Sequence, residues 1–384
     1  MKLEIRNKLE LSEFAYLIVF SFFIFSSIIT YSTLNMSRIL IYFARVIMLL
    51  VVVFFKIKSS SNKLLNILLL ICFLFLAVAI KLHSGRWNAL DIGMLMIGAS
   101  NAKFINIAKT YRLVATITIV AIMLMFFLGL IDENIVYRGS VVRHSFGFIY
   151  ATDLVALFFY ILLADFYICN YENKKFTYRY PIYVIIALFS YKMCDARLGT
   201  ICILMMIPAV LYLKRIRKRI TRIEELILKY SISIFAAFTV ILVQIYILYP
   251  RNKFIERMDA LLSYRLYYSK IGVLRYGYKL FGQKVEMHGG DSKDYFFIDS
   301  SYMNIILVYG VISLICVCLI FTYITKISIK KCDYLLPFVI FMIAVNSFVG
   351  QQLLDIAYDV FLLSFLSKDG NKISMYNLIR RLKL

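Results

Sequence analysis

The chain has 384 residues, of which 62% are hydrophobic, and a mean hydropathy of +0.81. These values exclude an ordinary soluble domain and predict a polytopic membrane protein with the lipid bilayer as a partner. The formal net charge is +22. In a soluble protein such a charge would favour nucleic-acid binding, but in a membrane protein Lys and Arg concentrate in the cytoplasmic loops. We therefore expect no nucleic-acid partner.

Apolar windows of about 15–25 residues predict the membrane spans. In chain order they cover 12–34, 36–55, 64–82, 88–102, 111–131, 146–169, 180–194, 198–213, 230–249, 301–325, 334–350 and 354–367. The fourth, seventh and twelfth windows are short, so the sequence leaves open whether they cross the bilayer fully. The predicted fold class is an all-α integral membrane protein, a polytopic helical bundle of about 12 transmembrane helices.

The distribution of charges predicts the orientation of the chain. With the N-terminus inside, the inner segments carry most of the Lys and Arg outside the longest loop, including the run KRIRKRITR from Lys214. The positive-inside rule then places both termini in the cytoplasm. Residues 1–249 hold helices 1–9, residues 301–367 hold helices 10–12, and residues 368–384 form a basic cytoplasmic tail.

Residues 250–300 form the long polar segment of the chain, which we expect to lie outside as a substrate-binding loop containing short helices. From Met258 to Phe281 the sequence has a helical pattern. Leu262, Leu266 and Val273 form an apolar stripe that would lie on the membrane. A neighbouring face carries Arg265, Tyr268, Gly272, Arg275 and Lys279. Arginine suits phosphate oxygens, but attachment to anionic lipids explains the same pattern.

Two other polar stretches stand at the predicted outer ends of spans. In RHSFGFIYATD, Arg143 lies at the end of the sixth window and Asp153 lies deeper. A carboxylate inside a span needs a charged partner or a wet cavity, so Asp153 either pairs with an arginine or lines a cavity. In YKMCDARLGT, Asp195 and Arg197 either close a turn through a salt bridge or present Arg197 to an anion.

The stretch from Glu286 to Asn304 holds the candidates for a general base, His288 and Asp299. A lone loop histidine is commonly just exposed, and Asp299 could equally cap the next helix. The sequence has no Cys/His spacing typical of zinc and no nucleotide-binding motif. We therefore expect no metal and no cofactor.

The order of these stretches resembles that in Wzy-type polysaccharide polymerases. LLSYRLYYSKIGVLRYGYKLFGQKVE and FIDSSYMNIILVYGVISLI resemble the long outer loop and the following span of this family. The shared pattern is an Arg in SYRL, an LFG turn at 280–282, and Asp-Ser-Ser-Tyr before Tyr-Gly. RHSFGFIYATD and DARLGT are similar to two upstream features. The resemblance covers roughly 135–315. The chain departs from the family at Tyr264, where Gly often stands, and at Asp195-Ala196.

The resemblance implies a metal-independent glycosyltransferase in the bacterial cytoplasmic membrane. It would polymerise oligosaccharide repeat units carried on undecaprenyl pyrophosphate, at the outer face, into O-antigen, capsule or exopolysaccharide. Flippase and chain-length regulator proteins are the implied partners. In that role the pyrophosphate ligands would be Arg143, Arg197, Arg265 and Arg275, the base His288, Asp299 or Asp195, and the sugar ligands Tyr268, Tyr302 and Asp153. An O-antigen ligase and a lipid-linked sugar flippase or transporter are the alternatives.

Overall fold

A computed structural model of the protein describes residues 2–34, 39, 41–48, 50, 63–138, 141–289 and 295–368. Its α-helices are α1 (Lys2–Ile29), α2 (Lys63–Ser84), α3 (Asn88–Ala99), α4 (Phe104–Phe127), α5 (Ala151–Tyr171), α6 (Arg179–Lys192), α7 (Arg197–Lys218), α8 (Arg222–Leu248), α9 (Lys253–Leu261), α10 (Arg265–Tyr276), α11 (Ser301–Asn304), α12 (Val311–Lys330) and α13 (Leu335–Val349). A π-helical turn, Ile305–Tyr309, follows α11. Between α4 and α5 a small antiparallel hairpin joins β1 (Val136–Arg138) and β2 (Val141–Arg143).

Within the described residues, six helices are long and apolar enough to cross a bilayer, namely α1, α4, α5, α7, α8 and α12. The protein is therefore a multi-pass helical membrane protein. The expected count of about 12 spans is not confirmed. The apolar helices α3 and α13 have only 12 and 15 residues, about 18 and 22 Å at 1.5 Å per residue. Both are shorter than the hydrocarbon core of about 30 Å.

The twelfth predicted span is wrong. Residues 354–367 form buried turns and short 3₁₀ helices, Gln352–Leu354 and Phe361–Phe365, instead of a membrane helix. Two aspartates explain the difference, because the Asp355 carboxylate accepts the N–H of Ala357 at 3.0 Å and that of Asp359 accepts the N–H of Phe361 at 2.8 Å. Such local side-chain bonds compete with a continuous helix. The basic tail lies outside the described residues from 369 onward.

Helix α5 is the centre of the bundle, because 83% of its apolar window is buried inside the protein. It packs against α4, α7 and α13, whereas α8 packs against α12, α13 and α10. Because α5 is largely surrounded by protein, burying a polar side chain on this helix costs free energy unless the side chain faces a cavity. The first turn of this helix carries Asp153.

The polar segment is anchored to the bundle through α10. The single helix expected from Met258 to Phe281 is broken at 262–264, where Ser263 and Tyr264 have φ of 58° and 62°. The Asp259 carboxylate accepts the N–H groups of Leu266 at 2.9 Å and Tyr267 at 3.3 Å. It thereby fixes the start of α10, and burial raises the pKa of this carboxyl. Leu266 is buried in the protein core, so the expected membrane-facing stripe is wrong at this residue.

Two glycines join the end of the polar segment to α12. Gly282 and Gly310 have φ of 84° and 95°, and a Cβ added at Gly310 would lie 2.3 Å from the Gly282 nitrogen. The Lys279 and Leu280 carbonyls accept the N–H groups of Val311 at 3.0 Å and Ile312 at 3.2 Å. The LFG and Tyr-Gly motifs are therefore two halves of one backbone contact, which caps α12.

Candidate functional site

Four separate segments converge on one cavity of about 160 Å³. They are the end of the β2 strand with the first turns of α5, the turn before α7, the polar segment around α10, and the turn after α13. We call this space the arginine cavity. The residues expected from the sequence that line it are Arg143, Asp153, Asp195, Arg197, Arg265 and Asp299.

Arg265 is placed in the cavity by the start of α10. Its side chain is 15% exposed, and its Nε lies 3.3 Å from the Asp299 carboxylate. Among the described residues, its Nε and Nη1 have no hydrogen-bond partner although both atoms are buried. A buried guanidinium donor normally finds an acceptor, so Arg265 retains hydrogen-bonding capacity for an anion. The N-cap residue of α11 is Ser300, so the helix N-cap falls within the stretch Asp299–Ser301, one residue after Asp299.

Two further arginines, Arg143 and Arg197, contact the turn between α6 and α7 and line the same cavity. The Nε of Arg143 donates to the Cys194 carbonyl at 3.0 Å, and the His144 N–H donates to the Met193 carbonyl at 2.9 Å. These bonds tie the β2 strand to this turn. Arg197 forms the expected salt bridge with Asp195 at 3.1 Å, yet its side chain is 60% exposed. Its second guanidinium edge can therefore meet a ligand without breaking the pair.

Asp153 lines the cavity and is 5% exposed. No ion pair to this carboxylate exists within the described part of the chain, so of the two alternatives for Asp153 the structure shows the cavity lining and not the arginine pair. A sharp turn precedes the helix, with Phe146 at a φ of 49° and Gly147 at 84°. This turn brings Asp153 beneath Arg143 and Tyr150, which line the same cavity.

Four predicted site residues do not line this cavity. His288 pairs through its backbone with Phe296, at 2.9 and 3.0 Å, while its neighbour Gly289 lines the cavity. The Arg275 guanidinium lies over the Phe296 ring at 5.1 Å. Tyr302 is fully buried and donates to the Ala344 carbonyl at 2.9 Å. Tyr268 packs edge-on against the ring of Tyr295, 5.0 Å between centroids.

Tyr295 is a cavity residue that sequence reasoning missed. Burial and then the negative charge of Asp299 raise the pKa of its hydroxyl above the ordinary value. The hydroxyl therefore remains a hydrogen-bond donor at neutral pH. The ring of Tyr268, a predicted sugar ligand, contacts Tyr295 but does not itself line the cavity.

A second cavity of about 160 Å³ adjoins the first. We call it the amide cavity, and its polar lining includes Tyr31, Asn88, Asp153, Gln351, Gln352, Asp355 and Tyr358. Asp153, Gln351 and Gln352 line both cavities. The two spaces therefore meet at these side chains, and each is far larger than the ~15 Å³ needed for one water molecule.

Sequence reasoning missed the amide cavity because it assigned Asp355 to a membrane helix. The available signal was the pair Gln351-Gln352 between two apolar windows, followed three residues later by an aspartate. In the structure Asp355 accepts hydrogen bonds from the Tyr31 hydroxyl and from the Asn88 amide, the latter at 3.2 Å. Residues from the turn after α1, from α3 and from the turn after α13 thus meet at one carboxylate.

No protein-family model matches the chain, and no curated protein or solved structure is significantly similar to it. Within the described residues, no three metal-ligating side chains form a group that could hold an ion. The side chains of the site themselves therefore indicate its chemistry. Guanidinium donors, carboxylates and a tyrosine hydroxyl face one cavity, an arrangement that can bind an anionic group and accept a proton.

Proposed function

We propose that the protein polymerises oligosaccharide repeat units linked to undecaprenyl pyrophosphate at the outer face of the bacterial cytoplasmic membrane. A lipid-linked chain would be transferred to the non-reducing end of another repeat unit, with release of undecaprenyl pyrophosphate. The polar segment 250–300 would form the outer substrate-binding loop. Both termini would lie in the cytoplasm, as the distribution of Lys and Arg favours.

The observation that supports this proposal is the convergence of Arg143, Arg197 and Arg265 on one cavity at the end of a membrane bundle. The pyrophosphate leaving group gains negative charge as the glycosidic bond breaks. Guanidinium groups aimed at it stabilise that charge, and more strongly in a site that excludes water. A donor already activated by pyrophosphate needs neither ATP nor a metal-held nucleotide sugar.

The three predicted bases differ in their surroundings. Asp195 and Asp299 both line the cavity, and each is paired with an arginine. His288 pairs through its backbone beside the cavity, so its ring needs a local movement to reach a substrate. A general base must come within hydrogen-bond reach of the hydroxyl that it deprotonates.

The test is the size distribution of the surface glycan of the host cell with and without the gene. Loss of long chains, with single repeat units still exported, supports a polymerase. Long polymer left on its lipid carrier indicates the ligase alternative, since a ligase uses the same donor with another acceptor. Repeat units trapped on the inner leaflet indicate a flippase. An unchanged glycan ladder contradicts all three functions.

A further inference from the structure

We infer that the amide cavity binds the non-reducing sugar of the acceptor repeat unit and that Asp153 deprotonates the attacking hydroxyl. This inference rests on the proposed function, because it divides one transferase site into a donor half and an acceptor half. The donor pyrophosphate would occupy the arginine cavity. The acceptor sugar would lie on the other side of Asp153.

The linings of the two cavities differ in chemistry. Three arginines face the arginine cavity, whereas Arg86 is the single Lys or Arg that lines the amide cavity within the described residues. The amide cavity instead presents side-chain amides, tyrosine rings and the Asp355 carboxylate. Amides and carboxylates match the paired donors and acceptors of sugar hydroxyls, and aromatic rings cover the apolar CH face. This lining fits an uncharged sugar better than a phosphate.

A buried amide oxygen without a partner points to a hydroxylated ligand in the amide cavity. Gln352 is 8% exposed, and its Oε1 has no hydrogen-bond partner among the described residues. Tyr358 lines the same cavity. Buried polar atoms without partners are rare and costly. A ligand that offers a hydroxyl group would satisfy the Gln352 oxygen.

The acceptor half is held in shape before any ligand arrives. Asn88 donates to the Leu354 carbonyl and to the Asp355 carboxylate, each at 3.2 Å, and the Ala357 N–H donates to the same carboxylate at 3.0 Å. These bonds fix the turn after α13 against α3. Preorganised polar groups lose little conformational entropy when they bind.

Asp153 stands where the two halves meet, because it is the carboxylate that lines both cavities within the described residues. In the transfer step, the acceptor hydroxyl oxygen forms a bond to the anomeric carbon of the donor sugar. The bond from that carbon to the pyrophosphate oxygen breaks, and its electron pair leaves with undecaprenyl pyrophosphate. The hydroxyl proton passes to the Asp153 carboxylate. Unlike Asp195 and Asp299, this carboxylate has no arginine competing for its lone pairs among the described residues.

The experiment measures binding of two probes to the purified full chain in nanodiscs. One probe is inorganic pyrophosphate. The other is the repeat-unit oligosaccharide released by mild acid from lipid-linked intermediates of a host strain that lacks the gene. We expect Asn88→Ala and Gln352→Ala to weaken oligosaccharide binding at least tenfold and to leave pyrophosphate binding unchanged. Arg265→Ala should show the opposite pattern. Pyrophosphate binding also reports that the first two variants are folded.

Turnover of lipid-linked repeat units tests the role of Asp153. Asp153→Asn should lower kcat at least 100-fold while both probes still bind, and Asp153→Glu should restore part of the rate. If the wild type extends chains but the amide-cavity variants bind the oligosaccharide normally, the inference is overturned and the proposed function stands. The same holds if Asp153→Asn turns over normally. If the wild type neither binds the oligosaccharide nor extends chains, the proposed function itself fails.

Discussion

At the scale of single residues, the guanidinium of Arg265 combines three properties that a pyrophosphate ligand needs. It lines the arginine cavity, it is largely buried, and two of its nitrogen atoms have no hydrogen-bond partner among the described residues. The Asp299 carboxylate lies 3.3 Å from its Nε and lines the same cavity. A planar fork of donors then meets phosphate oxygens in pairs.

We predict that Arg265→Ala lowers chain extension about 100-fold or more, the usual cost of removing one preorganised transition-state donor. Membrane insertion should be unchanged. Arg265→Lys should retain more activity because it keeps the charge but loses the fork. The matched control is Lys270→Ala on the same helix, where the ammonium group lies 4.4 Å from the Tyr246 ring centroid, away from the cavity. Normal long polymer from Arg265→Ala would contradict the assigned role.

Much of the candidate site could be predicted because charged side chains beside apolar windows are rare and costly. That signal picked out Arg143 and Asp153, and the cationic face of the helix predicted in the polar segment picked out Arg265. It did not resolve side-chain direction within the polar segment. Arg275 falls on the predicted cationic face of the helix, yet its guanidinium packs on the Phe296 ring.

At the scale of elements, periodicity predicted that a helix exists but not what its apolar face covers. A stripe of leucines and valines looks the same whether it meets lipid or protein. In α10, Gly272 shows that the helix contacts protein, because a Cβ there would lie 3.0 Å from the Ile298 and Leu307 side chains. The helix therefore packs closely on the protein and holds Arg265 at a fixed position.

The contact between Gly282 and Gly310 positions the same element from its far end. Gly310→Ala should unfold or displace this end of the segment, because its Cβ would overlap the Leu280 carbonyl oxygen at 2.3 Å. Gly277→Ala is the matched control, since Gly277 has a φ of 64° and a ψ of −174°, also suited to glycine, but open space around it. Backbone strain alone should cost the control about 1–3 kcal/mol.

Thermal unfolding of both purified variants in detergent measures this difference, and limited proteolysis of residues 277–289 locates it. We expect the Gly310→Ala protein to melt below the Gly277→Ala protein and to be cleaved faster in this stretch. Equal stability of the two variants would show that backbone strain, rather than the close approach of the two glycines, governs this contact.

At the scale of the whole molecule, the structure places the two ends of the bundle in different environments. Gly310 and Gly350, at the start of α12 and after the end of α13, lie beside the cavities and the polar segment. The turn that connects these helices, with Lys330, Lys331 and Cys332, therefore lies at the opposite end. The sequence predicted that successive long helices run between these two ends. The prediction failed where short helices and turns replace a full crossing of the bilayer.

The orientation across the membrane can be tested with a thiol already in the chain. Cys332 is exposed in the turn opposite the cavities, so the proposed topology places it in the cytoplasm. An impermeant maleimide should label it only after spheroplasts are permeabilised, and Cys332→Ser identifies its share of the signal. In that background Lys284→Cys should be labelled in intact spheroplasts, because the Lys284 side chain is 79% exposed in the polar segment. Its exposed pair with Glu286 contributes little stability, so the variant should fold normally. Labelling of Cys332 in intact spheroplasts, with protection of the cysteine at 284, would reverse the orientation and move the transfer site to the cytoplasmic face.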